Sequence, residues 1–192
     1  MCFTETFLKP HQHVEHNHLP IQDECQVFRL DRLQTNNEDL AKGGIMIVCS
    51  RSLQPIRINL QHHHPPQLEV VSIVATSTHS GCRMCIMAVY RRPNQPLTAF
   101  LPLLNHYVSN LPQIMPTIIL GDFNENLLSP SPSPLLQLMS SRRFYQLVQG
   151  PTTDSGSLLD HIYCNGAVND ALIDVVDTYY SDHDATYLSL PL

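Results

Sequence analysis

Apolar positions along this chain fall in short runs rich in β-branched residues, and polar punctuation separates them. "GGIMIVCS" (Gly43–Ser50), "PIRINL" (Pro55–Leu60), "LEVVSIVAT" (Leu68–Thr76) and "CRMCIMAVY" (Cys82–Tyr90) are bounded by Gly, Pro and Asn. Such runs predict strands joined by turns. The period then changes. Leu97, Phe100, Leu101, Leu104, Tyr107, Val108 and Leu111 recur at spacings of three and four, which predicts a helix with one apolar stripe. Pro102 falls in its first turns, where a missing N–H matters least, and Pro112 and Pro116 close it. "TIIL" (Thr117–Leu120) reads as a short buried strand. Ser133 and Pro134 predict a second helix start, as N-cap and first helical residue, with Leu135, Leu136, Leu138 and Met139 on its buried side. "SLLDHIYC" (Ser157–Cys164), "ALIDVVDTYY" (Ala171–Tyr180) and "ATYLSL" (Ala185–Leu190) complete the strands. Residues 9–39 are polar, His-rich and aperiodic, and are expected to form a long loop. Roughly eight strands, clustered early and late around two helices, predict an α/β (α+β) sandwich of mixed sheets.

Composition narrows the reading. The chain of 192 residues suits one domain with a single sizeable core. Its hydrophobic fraction of 43% excludes disorder throughout. The formal charge of −6 counts against a broad, non-specific duplex-binding surface, though a local basic patch is compatible with it. The six cysteines show no secreted spacing and read as reduced thiols of an intracellular protein. Cys82 and Cys85 form a lone C-x-x-C; zinc would need a second pair of ligands, so these are expected to be core cysteines. No apolar stretch is long enough to span a membrane.

Chemistry gathers where the apolar runs end. "ILGDFN" closes with Asp122 and Asn124, two apart, so a continuing strand would aim both to one face and send Phe123 into the core. A plain turn is the competing reading. Asp160 sits inside an apolar strand, where a carboxylate needs a partner. Asp182 and His183 precede the final strand and can cooperate only across a turn or bulge. Tyr90 is followed by Arg91, Arg92 and Asn94, and the arginines suit either a nucleic-acid backbone or a solvated loop. Tyr90 suits a core aromatic as well as a catalytic hydroxyl, and Glu5 suits a solvated terminus as well as a ligand. If Glu5, Asp122, Asp160 and Asp182 converge, each close pair repels by about 4 kcal/mol at ~4 Å. Protons or a hard cation must then offset the charge, Mg²⁺ first and Mn²⁺ second. Such a site suits attack of water on a phosphodiester. The histidine clusters (His11, His13, His16, His18 and His62, His63, His64) are expected to be loop residues.

In order, "TET", "VYRRPN", "GDFN", "LLDHIY" and "SDH" resemble the motifs of the endonuclease/exonuclease/phosphatase superfamily, above all the endonuclease domains of retrotransposons and other mobile elements, and apurinic/apyrimidinic endonucleases. The likeness covers nearly the whole chain. It implies a DNase I-like four-layer sandwich, two packed mixed β-sheets flanked by helices, over residues 1–192. It implies that Glu5 and Asp182 serve the metal site and that Tyr90 and Asn94 lie near the scissile phosphate. Asp122 would orient or deprotonate the attacking water, beside Asn124 on the phosphate, and Asp160 would orient the His183 imidazole. The implied activity is Mg²⁺-dependent phosphodiester hydrolysis, with DNA as partner and the nucleus as the place of work. A phosphatase, or an inactive remnant that binds without cleaving, is the alternative. Relatives begin with a strand ending in Asn ahead of the glutamate motif; here the chain opens at that motif. An N-terminal truncation, or a piece of a larger mobile-element polyprotein, is therefore expected.

Overall fold

Alternation of apolar side chains decides which way each strand faces. In the computed structural model, which describes residues 1–8, 24–31, 43–59, 68–166 and 171–190, the strands assemble into three sheets. β1 (Cys2–Thr4), β2 (Cys25–Leu30) and β3 (Ile45–Ser50) form an antiparallel sheet in the order β1-β3-β2. β4 (Ile56–Arg57), β5 (Glu69–Thr76), β6 (Arg83–Tyr90), β7 (Thr117–Asp122), β8 (Tyr145–Gln146) and β9 (Asp160–Cys164) form a six-stranded mixed sheet in the order β4-β5-β6-β7-β9-β8. β10 (Leu172–Val176) and β11 (Ala185–Ser189) pair as an antiparallel hairpin. β6 and β7 run parallel, as the crossover through helix α1 (Leu97–Ser109) requires. Helix α2 (Pro134–Ser141) follows β7.

The six-stranded sheet is buried on both faces. On one, Val70, Met87, Val89, Ile119 and Tyr163 pack with Phe100, Leu104, Tyr107 and Val108 of α1 and Leu135 and Met139 of α2. On the other, Val71, Ile73, Ala75, Ala88 and Tyr90 meet Phe28, Ile45, Ile47 and Cys49 of the three-stranded sheet. Further along that face, Ile118, Ile162 and Cys164 meet Val175 and Leu188 of the hairpin. Two-sided burial is why β5, β6 and β7 read as nearly unbroken apolar runs.

The α/β sandwich expected from sequence is the architecture found, with several local differences. β2 lies inside the segment expected to be loop; it buries only Phe28 fully, so its apolar signal is weak. β1 and β8 were not anticipated, being three and two residues long. The strand expected over Ser157–Cys164 starts only at Asp160, because the Thr152 hydroxyl accepts the Leu159 and Asp160 amides and bends the chain in. α2 starts as expected, with Ser133 Oγ accepting the Leu136 amide. Both helices pack on one face of the six-stranded sheet. The histidine clusters fall outside the described residues. All six cysteines are free thiols; Cys85 is a core residue, while Cys82 is exposed.

Candidate active site

One rung of the six-stranded sheet carries the chemistry. Glu69 pairs in register with Tyr90, Tyr90 with Asp122, and Asp122 with Asp160. Residues directly opposite share a face, and Tyr90 faces the space between the sheets. Polar side chains from four strands, far apart in sequence, therefore stand in a row at one end of the sheet. Gly121 lets β7 lie close to β6 there: a Cβ at its φ of +139° would sit 1.9 Å from the Val89 carbonyl oxygen.

Asp122 is buried, and the turn after it is built around its carboxylate. Its Oδ1 accepts the Asn124 amide at 2.8 Å and its Oδ2 the Asn124 side-chain amide at 2.9 Å. Asn124 adopts φ +47°, a left-handed conformation that Asn tolerates. The expected convergence of Asp122 and Asn124 is thus achieved by a turn rather than by strand alternation, while Phe123 enters the core as expected. Asn124 Nδ2 also donates to the Arg91 carbonyl at 2.7 Å, so both its amide protons are used within the protein. Arg91 is buried, contrary to its reading as a surface contact. Its guanidinium donates to the carbonyls of Phe123, Gln95 and Asn124, clamping the site loop from below.

At the other end of the rung, the Tyr90 hydroxyl donates to the Glu5 carboxylate. Glu5 projects from the end of β1 with φ +52°, and the chain beyond it returns to β3 through Thr6 and Phe7 amides bonded to the Gly44 and Gly43 carbonyls. Asp160 accepts His183 Nδ1 at 2.8 Å. His183 is held by its own turn: its amide donates to Ser181 Oγ, Thr178 Oγ1 donates to its carbonyl, and it bridges to Thr153. This is the turn the sequence required for Asp182 and His183. Asp182 itself is exposed, Asn94 is exposed in the loop after β6, and Arg92 pairs with Glu69 at 3.2 Å.

Environment sets the protonation states. The hydrogen bond to Asp160 pushes His183 up to about 9, against desolvation, with the charges of Asp160, Asp122 and Asp182 adding to the rise. Burial pushes Asp122 up to about 7, reinforced by Asp160 and Glu5 and opposed by the Asn124 amide and His183. Burial raises the Tyr90 phenol far above its ordinary value, with Glu5 adding to the shift. At neutral pH the site holds an imidazolium beside a carboxyl group close to its own midpoint.

Among the described residues, no three His, Cys, Asp or Glu side chains form a ready-made metal cage. A hydrated Mg²⁺ needs only one or two carboxylates plus substrate phosphate, and the charges of Asp160 and Glu5, which add to the effect of burial on Asp122, are what a hard cation offsets. The donor set therefore fits such an ion at Glu5. Sequence reasoning missed Glu69. Its signal, a charged residue inside an apolar run, is the one that exposed Asp160.

A model of the Endonuclease/Exonuclease/phosphatase family matches residues 1–183. No curated protein sequence matches the chain. Among solved structures, the endonuclease domain of TRAS1, a telomere-specific non-LTR retrotransposon, is similar with a TM-score of 0.67 and 17% identity, over 88% of this chain and 79% of that one. An AP endonuclease from Leishmania major follows at 0.65 and 12%, over 96% and 76%. A mannosyl-6-phosphatase from Bacteroides thetaiotaomicron is similar at 0.59 and 12%, over 88% and 78%. At these identities the likeness is one of fold.

Proposed function

Because the chain belongs to the endonuclease/exonuclease/phosphatase family, whose members are largely hydrolytic enzymes, we propose that it hydrolyses phosphodiester bonds in DNA with a divalent cation, Mg²⁺ or Mn²⁺, as a mobile-element endonuclease working in the nucleus. The observation that carries this reading is the Asp160–His183 pair, one strand away from the buried Asp122. A charged imidazole supplies positive charge to the phosphoryl group as negative charge builds on it, and holds a proton for the leaving oxygen. Asp160 keeps the ring's Nδ1 occupied and so presents Nε2 to substrate. Asp122, with its pKa lifted by burial, takes the proton of the attacking water. The new bond joins the water oxygen to phosphorus while the ester P–O bond breaks, and the leaving oxygen takes the proton of the His183 imidazolium. Asn124 and Arg91 fix Asp122, and the Tyr90 hydroxyl fixes Glu5. A cation held by Glu5, with Asp182 at the rim, would neutralise charge on the phosphate. Arg92 and Asn94, in the loop after β6, would meet the substrate backbone. The fold likeness to a retrotransposon endonuclease and an AP endonuclease supports DNA as substrate, alongside the motif order.

The test is supercoiled plasmid incubated with the protein and Mg²⁺ or EDTA, beside a sugar phosphomonoester. Nicked circles with Mg²⁺ alone, and no phosphate from the monoester, are expected. Phosphate release without nicking would replace the reading with a phosphatase. Folded protein that retains DNA but cuts neither substrate would make it a non-cleaving binding module.

A further inference from the structure

Glu69 is a buried carboxylate outside the machinery just described, yet it stands in the same rung. Its two oxygens reach two different parts of the molecule. One accepts the Gly44 amide at 2.6 Å, across the gap to the three-stranded sheet. The other accepts Arg92 Nε at 3.2 Å, from the loop after β6.

The Gly44 contact leads directly to Glu5. Gly44 and Gly43 present their carbonyls to the Thr6 and Phe7 amides, at 3.2 and 3.0 Å, and these residues close the turn from which Glu5 projects. That turn is strained, with Glu5 and Phe7 both at φ +52°; non-glycine residues hold such angles only where the surroundings impose them. The glycine pair is shaped for the same contact. A Cβ at Gly43 would lie 2.8 and 2.9 Å from the Glu69 oxygens, and Gly43 and Gly44 have φ of +92° and +96°. The start of β3 is thus moulded over one carboxylate, and the Glu5 turn hangs from it.

We propose that Glu69 is a positioning residue: by gripping Gly44 on one side and Arg92 on the other, it sets where Glu5 and the loop after β6 stand over the Tyr90–Asp122–Asp160 row. This rests on the reading of Glu5 as the cation's ligand. An apolar side chain here would leave the Gly44 amide without its acceptor in a buried place, and the turn would lose its template. Glutamine keeps an acceptor for Gly44 but offers Arg92 no negative charge.

The experiment is Mn²⁺ binding by calorimetry, and amide exchange by NMR, on wild type, Glu69→Ala and Glu69→Gln. For Glu69→Ala the expectation is at least a tenfold loss of Mn²⁺ affinity. Exchange at Gly44, Thr6 and Phe7 should quicken at least tenfold, while the core amides of Met87 and Ile119 stay as in wild type. Glu69→Gln should restore both quantities to within threefold of wild type. Two results would overturn the proposal: Glu69→Ala binding Mn²⁺ like wild type, or core and turn amides loosening together in both variants, which is loss of stability without positioning. A wild type that binds no Mn²⁺ but cuts DNA without added metal would instead remove the cation reading beneath it.

Discussion

Two histidines flank the same carboxylate-bearing strand and meet opposite fates. His183 lies between the sheets, half-buried, with Asp160 on Nδ1, and is held as a cation. His161 lies on the helix side of β9 with no exposed surface, stacked on Phe123 at 4.9 Å between centroids. Its Nε2 faces the carbonyls of Glu125 and Leu158, so that nitrogen carries the proton, and Nδ1 accepts from the Tyr163 hydroxyl. Burial lowers its pKa to about 4. One residue type at two neighbouring places becomes a charged group open to solvent and a neutral core member. The partner on the ring and access to water decide which, and residue type does not.

The largest expected effect lies on the charged side. Asp160→Asn removes the negative charge that holds the His183 ring charged and fixes its orientation, and should lower the nicking rate by about 10²–10³-fold, no more than loss of the imidazole itself. The variant's melting temperature should fall at neutral pH and below, where the charged pair contributes, with the protein still folded at assay temperature. A rate within tenfold of wild type would show that the pair is only structural.

On the neutral side the effect moves from rate to stability. His161→Ala leaves two carbonyls, the Tyr163 hydroxyl and the Phe123 ring without their partner. It should cost about 2–4 kcal/mol in denaturant melts, with residual activity at low temperature. Loss of activity without loss of stability would reverse the assignment.

The two rings also give stability opposite dependences on pH. His161 has a folded pKa depressed from 6.5 to about 4, so the stability it contributes is full above pH 6.5 and is lost as pH falls through 4. That loss is about 3 kcal/mol at one pKa unit per ~1.4 kcal/mol. His183 has a folded pKa raised from 6.5 to about 9; its contribution is full below pH 6.5 and is lost as pH climbs through 9. Denaturant melts across pH, taken as differences from His161→Gln and His183→Gln, should slope in opposite directions. Equal slopes would place both rings in one kind of environment.

How much of this was legible in the sequence depended on whether a residue's neighbours are local. The α1 stripe and the Ser133 cap are decided within a few residues, and both were readable. Asp122 and Asp160 stood out because a charge beside a buried strand demands a partner, but that they share a rung is a matter of register, which no local pattern prints. Arg91 misled because sequence cannot show a guanidinium turning inward onto three carbonyls. Glu69 was overlooked for the converse reason, since its partners Gly44 and Arg92 come from other elements. β2 escaped because it turns one fully buried residue to the core from within a polar segment.

The smallest expected effect concerns the exposed neighbour. Asp182 is the last contributor to the rise in His183, and its exposure means that solvent screens it. Asp182→Asn should lower the alkaline limb of the rate profile by only a few tenths of a pH unit. A shift beyond one unit would mean that Asp182, rather than Asp160, governs the ring.

The most direct test of the rung as a catalytic centre is Mg²⁺-dependent plasmid nicking by wild type, Asp122→Ala and His183→Ala, each checked for folding by its melting temperature. Each substitution should remove about 2.7–4 kcal/mol of transition-state stabilisation, a loss of roughly 10²–10³-fold. The melting temperature of Asp122→Ala should change little, because release of a buried carboxylate near Asp160 and Glu5 offsets loss of the acceptor for the Asn124 amides. Nicking that persists at the wild-type rate in both folded variants would contradict the account.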